Sequence, residues 1–214
     1  MKIGILGTGD VGKALGRGFL ATGHEVLLGA REAGNAKARE WAEAQGPKAR
    51  AGTFAEAAEY GELIVLATLG TAVVEATKLA GPAHFAGKVV VDTTNPLDLS
   101  KGFPPTLAVS GEDSGGERVQ RALPDARVVK AWNSVGNALM FRPELPGGPP
   151  TMFRCGNDAE AKATVAGILE AWGWSPMDAG DIRSSRYLEA LCILWVSTAA
   201  RGNHWLQAFK MLRP

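Results

Sequence analysis

The feature that most constrains this chain is the hexapeptide Gly7-Thr8-Gly9-Asp10-Val11-Gly12. It directly follows a β-rich run, Lys2–Leu6, and opens a segment with Val11, Leu15 and Phe19 at four-residue spacing. A G-x-G-x-x-G pattern in that setting predicts a strand-turn-helix built to receive a dinucleotide. Gly7 permits the tight turn and Gly9 lets the backbone approach a pyrophosphate. Gly12 lets the helix press onto the sheet, a role Gly16 shares one turn later. Unsatisfied N–H groups at the helix start, together with the helix dipole, favour a bound anion there.

The same alternation continues down the chain. Residues 25–28 read as a second strand, 35–45 and 53–60 as helices, and 63–67 as an almost wholly apolar strand. A helix over 71–79, a strand over 88–92, a helix over 114–123 and a strand over 127–131 follow. Strands apolar on both faces predict a parallel sheet covered on both sides, hence an α/β, doubly wound Rossmann fold. Residues 143–150 carry four prolines and two glycines, too many chain breakers for a regular element, and place a boundary there. The expectation is a Rossmann domain over residues 1–145 and a small C-terminal α+β or helical domain over 146–214. In the second part, 151–155 and 174–177 read as strands, and Asn157 with Glu160 as a helix-capping pair. Leu188, Leu191, Cys192, Trp195 and Ala199 recur at helical spacing from Ser185 onward. So short a piece has too little core of its own, so it is expected to pack on the first domain or on a second subunit.

Charge and composition narrow the partners. A net charge of +1 leaves no field favouring nucleic acid or an anionic membrane, and 46% hydrophobic residues exclude a disordered chain. The longest nearly apolar stretch, 190–200, is about half of the roughly 20 residues of a bilayer span. Glycines and Asp10 interrupt any signal-like run at the N-terminus, so a cytoplasmic protein is expected. Cys155 and Cys192 lack metal-ligand spacing and are expected to be free, packed thiols. His24, His84 and His204, placed at a strand start, in a loop and in the last helix, form no catalytic triad and read as structural.

The end of the second strand selects the dinucleotide. An NAD-binding chain places a carboxylate about 20 residues after the fingerprint. Here Gly29-Ala30-Arg31 offers a guanidinium suited to a 2′-phosphate, so the expected cofactor is NADP(H). Further contacts are expected from loops at the carboxyl ends of other strands. These are Thr68, Leu69 and Gly70; Thr93, Thr94, Asn95 and Pro96; and Ala131, Trp132, Asn133 and Ser134. Asn95 can both donate to and accept from a carboxamide, and the Trp132 ring can wall a pocket. Asp178, Arg186 and Glu189 either line that pocket or serve as a cap or an i, i+3 ion pair on the helix surface.

The segments GTGDVG, GAR, VVVDTTNP, VVKAWNSVG and DAG…SSRYLEAL resemble the NADPH-dependent coenzyme F420 reductases and their relatives, the cytoplasmic domains of the Steap metalloreductases among them. The resemblance runs nearly end to end. It implies a Rossmann domain, a small C-terminal domain, and hydride exchange between NADPH and a flavin-like or deazaflavin (F420) ring held face to face, with no side-chain nucleophile. It also implies a pyrophosphate turn on Thr8, Gly9, Asp10 and Val11, a 2′-phosphate site on Ala30 and Arg31, and later contacts around Thr68, Leu69 and Ala131. The chain departs from the family's pattern at Ala30, often Ser; near Asn35, often basic; and at Asp10, often Asn. Its substrate-side loops, TTNPLDLSKGFPP and KAWNSVG, look closer to the Steap-like branch and to bacterial branches than to the archaeal deazaflavin reductases. Two alternatives stand beside this reading: a noncatalytic NADP-binding interaction module, and a reductase of another small acceptor, such as a ferric chelate reached through a flavin. Trp195, Trp205 and Phe209 add more large apolar groups than a short domain hides, and predict a homodimer.

Overall fold

The computed structural model describes residues 1–212. The chain begins with strand β1 (Lys2–Leu6), helix α1 (Asp10–Ala21) and strand β2 (Glu25–Ala30). Helix α2 (Ala36–Gln45), strand β3 (Ala49–Thr53), helix α3 (Phe54–Tyr60) and strand β4 (Leu63–Leu66) follow. Next come α4 (Val73–Ala80), β5 (Val89–Asp92), a small hairpin of β6 (Leu97–Asp98) and β7 (Thr106–Leu107), α5 (Gly115–Ala122) and β8 (Arg127–Lys130). Strand β9 (Thr151–Gly156), helix α6 (Ala159–Ala171), strand β10 (Ser175–Asp178) and helix α7 (Ser185–Gly202) complete the order.

One eight-stranded sheet has the order β10-β9-β8-β5-β4-β1-β2-β3. It is parallel except where β9 meets β8, with Val129 opposite Gly156 and Lys130 opposite Cys155. This is the doubly wound α/β architecture that the alternating pattern predicts. Side-chain alternation divides the core between the two faces. Ile3, Ile5, Val26, Leu28, Val65 and Val91 meet Leu15 and Phe19 of α1, Trp41 of α2 and Val165 of α6. Leu6, Leu27, Ile64, Leu66, Val90 and Val128 meet Phe54 of α3, Ala76 of α4 and Val119 of α5. The sheet runs on past residues 143–150, so β9 and β10 share it with the six strands of the first part rather than forming a sheet of their own.

Several elements differ from the sequence reading. Strand β3 escapes it because ARAGT has no apolar alternation; at the sheet edge, its ladder with β2 holds it in place instead. The cap of α6 is Asp158, whose side chain accepts from the Ala161 N–H at 2.7 Å. Asn157 instead accepts from the Ile182 N–H, bracing the segment that leads into α7. Helix α7 stops at Gly202 because Asn203 turns left-handed, with φ 50° and ψ 36°. His204, Trp205 and Phe209 therefore lie beyond the helix, and the tail folds back so that the Thr151 N–H donates to the Phe209 carbonyl. Trp195 is buried on Cys192, Val196 and Phe209. Among the described residues, no helix is long and apolar enough to cross a membrane.

Candidate active site

The glycine-rich turn has the geometry its three glycines require. Gly7 has φ +132°, and a side chain there would bring Cβ within 2.3 Å of the Ala67 carbonyl oxygen. A Cβ on Gly12 would lie 2.2 Å from the Gly7 carbonyl, so α1 can start this close to β1 only without one. At Gly16, one turn on, the obstacle is the Trp41 ring at 2.6 Å. Gly9 is different: nothing lies within 4 Å of its would-be Cβ, so the backbone there faces open space. Gly9 is also the N-cap of α1, and no side chain bonds the first amides of that helix. Those free donors at a positive helix end, beside an open approach, suit an anion.

A groove of about 640 Å³ opens at this point. It brings together Gly7, Thr8, Gly9, Asp10 and Val11 of the turn, Ala30 and Arg31 at the end of β2, and Thr68 and Leu69 after β4. These residues converge because β1 is the switch point of the sheet: β2 leads one way from it and β4 the other, leaving a crevice at their carboxyl ends. Arg31 is exposed and makes no ion pair among the described residues. Asn35, Phe54 and Asn137 also line the groove. Asn35, which stands near a position often basic in the family's pattern, is also the N-cap of α2. Asn137 arrives from a distant turn and has no local signal.

The other sequence-derived candidates lie outside this groove. Ala131 is fully buried, Gly12 is packed beneath the turn, and Pro96 lines a neighbouring groove. Asn95 and Asn133 bond each other: Asn95 Nδ2 donates to the Asn133 carbonyl at 2.8 Å, and Asn133 Nδ2 donates to Asn95 Oδ1 at 2.9 Å and to the Leu188 carbonyl. The Asn95 amide is thus engaged by the protein itself, which ties the loop after β5 to the loop after β8 and to α7. Thr93 and Thr94 are likewise held, by the Leu66 carbonyl and by Asp92. The expectation that Trp132 walls a pocket is not met. Its ring is buried against Trp172 and its Nε1 donates to the Met140 carbonyl, because φ of 55° turns it into the core.

Sequence reasoning missed the buried ion network beneath these loops. Lys130 is fully buried; its Nζ lies 2.7 Å from Asp92 Oδ2, 3.2 Å from Glu189 Oε1 and 2.7 Å from the Thr94 carbonyl. Burial alone would lower the Lys130 ammonium, but Asp92 and Glu189 outweigh it and hold it above the ordinary lysine range. Glu189 also accepts from the Gly115 and Gly116 N–H groups, capping α5 from α7. Arg186 forms a fork with Glu117 at 2.7 and 2.8 Å, and Asp178 pairs with Lys162 at 2.9 Å. Asp178, Arg186 and Glu189 are thus taken up by these contacts rather than lining a pocket, and the i, i+3 pair expected on the helix surface does not form among the described residues, because Arg186 reaches Glu117 and Glu189 reaches Lys130 instead. Cys155 and Cys192 are free and buried, and burial pushes both thiols up to about 11.

The residues present fit a dinucleotide: the open Gly9 approach and uncapped α1 start suit the diphosphate, and the unpaired Arg31 suits an anion at the end of β2. Fold and site together define a Rossmann-type dinucleotide-binding protein. Residues 2–96 match the family model described as NADP oxidoreductase, coenzyme F420-dependent. The F420-dependent NADP reductase of Methanothermobacter marburgensis is 31% identical over 216 residues, covering 92% of both chains. A crystal structure of a putative F420-dependent NADP-reductase from Arthrobacter sp. FB24 superposes with a TM-score of 0.93, at 38% identity and covering 100% of both chains. The chain belongs to the F420-dependent NADP oxidoreductase family. Metalloreductase STEAP3 of Rattus norvegicus is 30% identical over 200 residues, covering 89% of this chain, which spans only 36% of that relative's length. A reductive aminase from Aspergillus terreus, solved in complex with NADPH, matches at 26% identity and a TM-score of 0.68, covering 94% of this chain and 63% of its own.

Proposed function

We infer that this groove holds NADP(H) and that the protein transfers hydride between the nicotinamide and a flavin-like or deazaflavin acceptor. The observation that carries the reading is the pairing of an uncapped α1 N-terminus at Gly9 with an unpartnered Arg31 at the end of β2. When bound, the dinucleotide supplies the hydride chemistry; the chain supplies orientation and exclusion of water. The backbone amides at Gly9, Asp10 and Val11 hold the diphosphate, and the Arg31 fork recognises the 2′-phosphate. Thr68 and Leu69 flank the sugar that leads toward the nicotinamide. The loops after β5 and β8, pinned by Asn95, Asn133 and Lys130, form a rigid floor near the reacting ring. The name of the F420-dependent relative supports a deazaflavin acceptor. Two free buried thiols fit a reducing compartment such as the cytoplasm, and the exposed apolar residues of α7 and the tail fit a second copy of the chain as partner.

Incubation with NADPH and separate flavin, deazaflavin and ferric-chelate acceptors tests this reading. The expected result is oxidation of NADPH with a ring acceptor, faster than with NADH. No turnover above background with any acceptor would leave the protein a binding module and overturn the reading.

A further inference from the structure

A second groove, of about 740 Å³, lies beside the first between α4 and α5. The segment after β4 separates the two: Leu69 and Ala72 face the first groove, while Gly70, Thr71 and Val73 face the second. At this dividing wall the two loops approach closely, since a Cβ on Gly70 would stand 2.0 Å from the Asn95 carbonyl oxygen. Val73, Val74, Pro96 and Val109 give the second groove an apolar side. Its other side carries Arg118 and Arg121 on α5, organised by one carboxylate. Arg118 Nε and Arg121 Nη2 each lie 2.9 Å from Asp113 Oδ2, and Arg121 Nη2 also lies 2.9 Å from Oδ1. Two guanidinium groups share a single carboxylate, so one positive charge is left over. Their remaining N–H donors bond nothing else among the described residues.

Such an arrangement presents solvent-accessible donors and net positive charge beside an apolar wall, next to the groove read as the cofactor site. A guanidinium fork matches the oxygens of a phosphate, and Asp113 lowers the entropy lost when the two side chains are held together. We propose that the groove between α4 and α5 binds the phosphate-bearing tail of the redox acceptor, with Arg118 and Arg121 as its ligands and Asp113 as the residue that positions them. This rests on the reading of the neighbouring groove as the cofactor site, and it narrows the acceptor to ring compounds with a phosphorylated side chain.

The test compares flavin mononucleotide with riboflavin, which share a ring and differ in the phosphate, by flavin fluorescence in the presence of NADP⁺. The proteins compared are the wild type, the double variant R118Q/R121Q and, as a control for surface charge, R201Q. The wild type is expected to bind flavin mononucleotide about tenfold or more tighter than riboflavin, as loss of charge-assisted hydrogen bonds implies. The double variant should lose that preference while keeping riboflavin and NADPH affinity, and R201Q should behave as wild type. Equal binding of the two flavins by the wild type, no binding of either, or an unchanged preference in the double variant would overturn the proposal. If the preference depends on the arginines but NADPH is never oxidised, the groove assignment stands and the hydride-transfer reading falls.

Discussion

Arg31 shows how much one position can decide. It directly follows β2, at the point where a carboxylate would accept from ribose hydroxyls and repel a 2′-phosphate, and it has no ion-pair partner among the described residues. Replacing Arg31 with Gln should weaken NADPH binding about tenfold or more while leaving NADH nearly unchanged, because only the former presents the extra phosphate. Titration of nicotinamide fluorescence with both cofactors measures this; equal loss for the two would remove Arg31 from the 2′-phosphate role. Arg31 was legible in the sequence because it stands at a fixed offset from the glycine turn. Asn137 was not, since it reaches the same groove through the tertiary fold alone. Trp132 failed as a candidate for a similar reason: its position after β8 was read correctly, but its positive φ sends the ring inward.

At the scale of elements, α5 and α7 are joined by charge as much as by apolar contact. The Arg186 guanidinium beside Glu117 holds that carboxyl below the usual carboxylate range, outweighing its burial, and Ser114 adds to the effect. A carboxyl whose folded value is depressed contributes stability above its unfolded pKa of about 4.3, and that stability is lost as pH falls through the folded value. The unfolding midpoint should therefore drop on acidification below about pH 4.5. The Glu117→Gln variant should be less stable at pH 7 and show a shallower acid loss. Thermal melts of both proteins across that range check it, and parallel curves would exclude Glu117 as a source of the slope. None of this coupling was legible. Arg186 and Glu117 lie far apart in sequence, and nothing local distinguishes them from other surface charges.

For the whole molecule, the unsettled surface is the outer face of α7 and the tail behind it. Tyr187 and Leu194, seven residues apart and so on one helix face, are 74% and 52% exposed, and Leu206 in the tail is 66% exposed. A second copy covering this face would remove them from water. Light scattering at micromolar concentration is expected to report a dimer, and the double variant Y187E/L194E a monomer. A monomeric wild type would refute the assembly. Burial of Trp195 and partial burial of Phe209 within the chain already account for part of the apolar excess in the sequence, whereas Tyr187, Leu194, Trp205 and Leu206 stay exposed.

By itself the sequence determined the parallel α/β alternation, the glycine turn and the guanidinium at the end of β2. Each depends on contacts or periodicities a few residues long, where sterics and hydrophobic spacing act locally. Only the tertiary structure decided that β9 joins the sheet antiparallel to β8, that Lys130 sits buried between Asp92 and Glu189, and that Asn95 spends its amide on Asn133. Those outcomes depend on which distant groups share one volume once water is excluded. There, an unpaired charge or amide is costly enough to select its partner from anywhere in the chain.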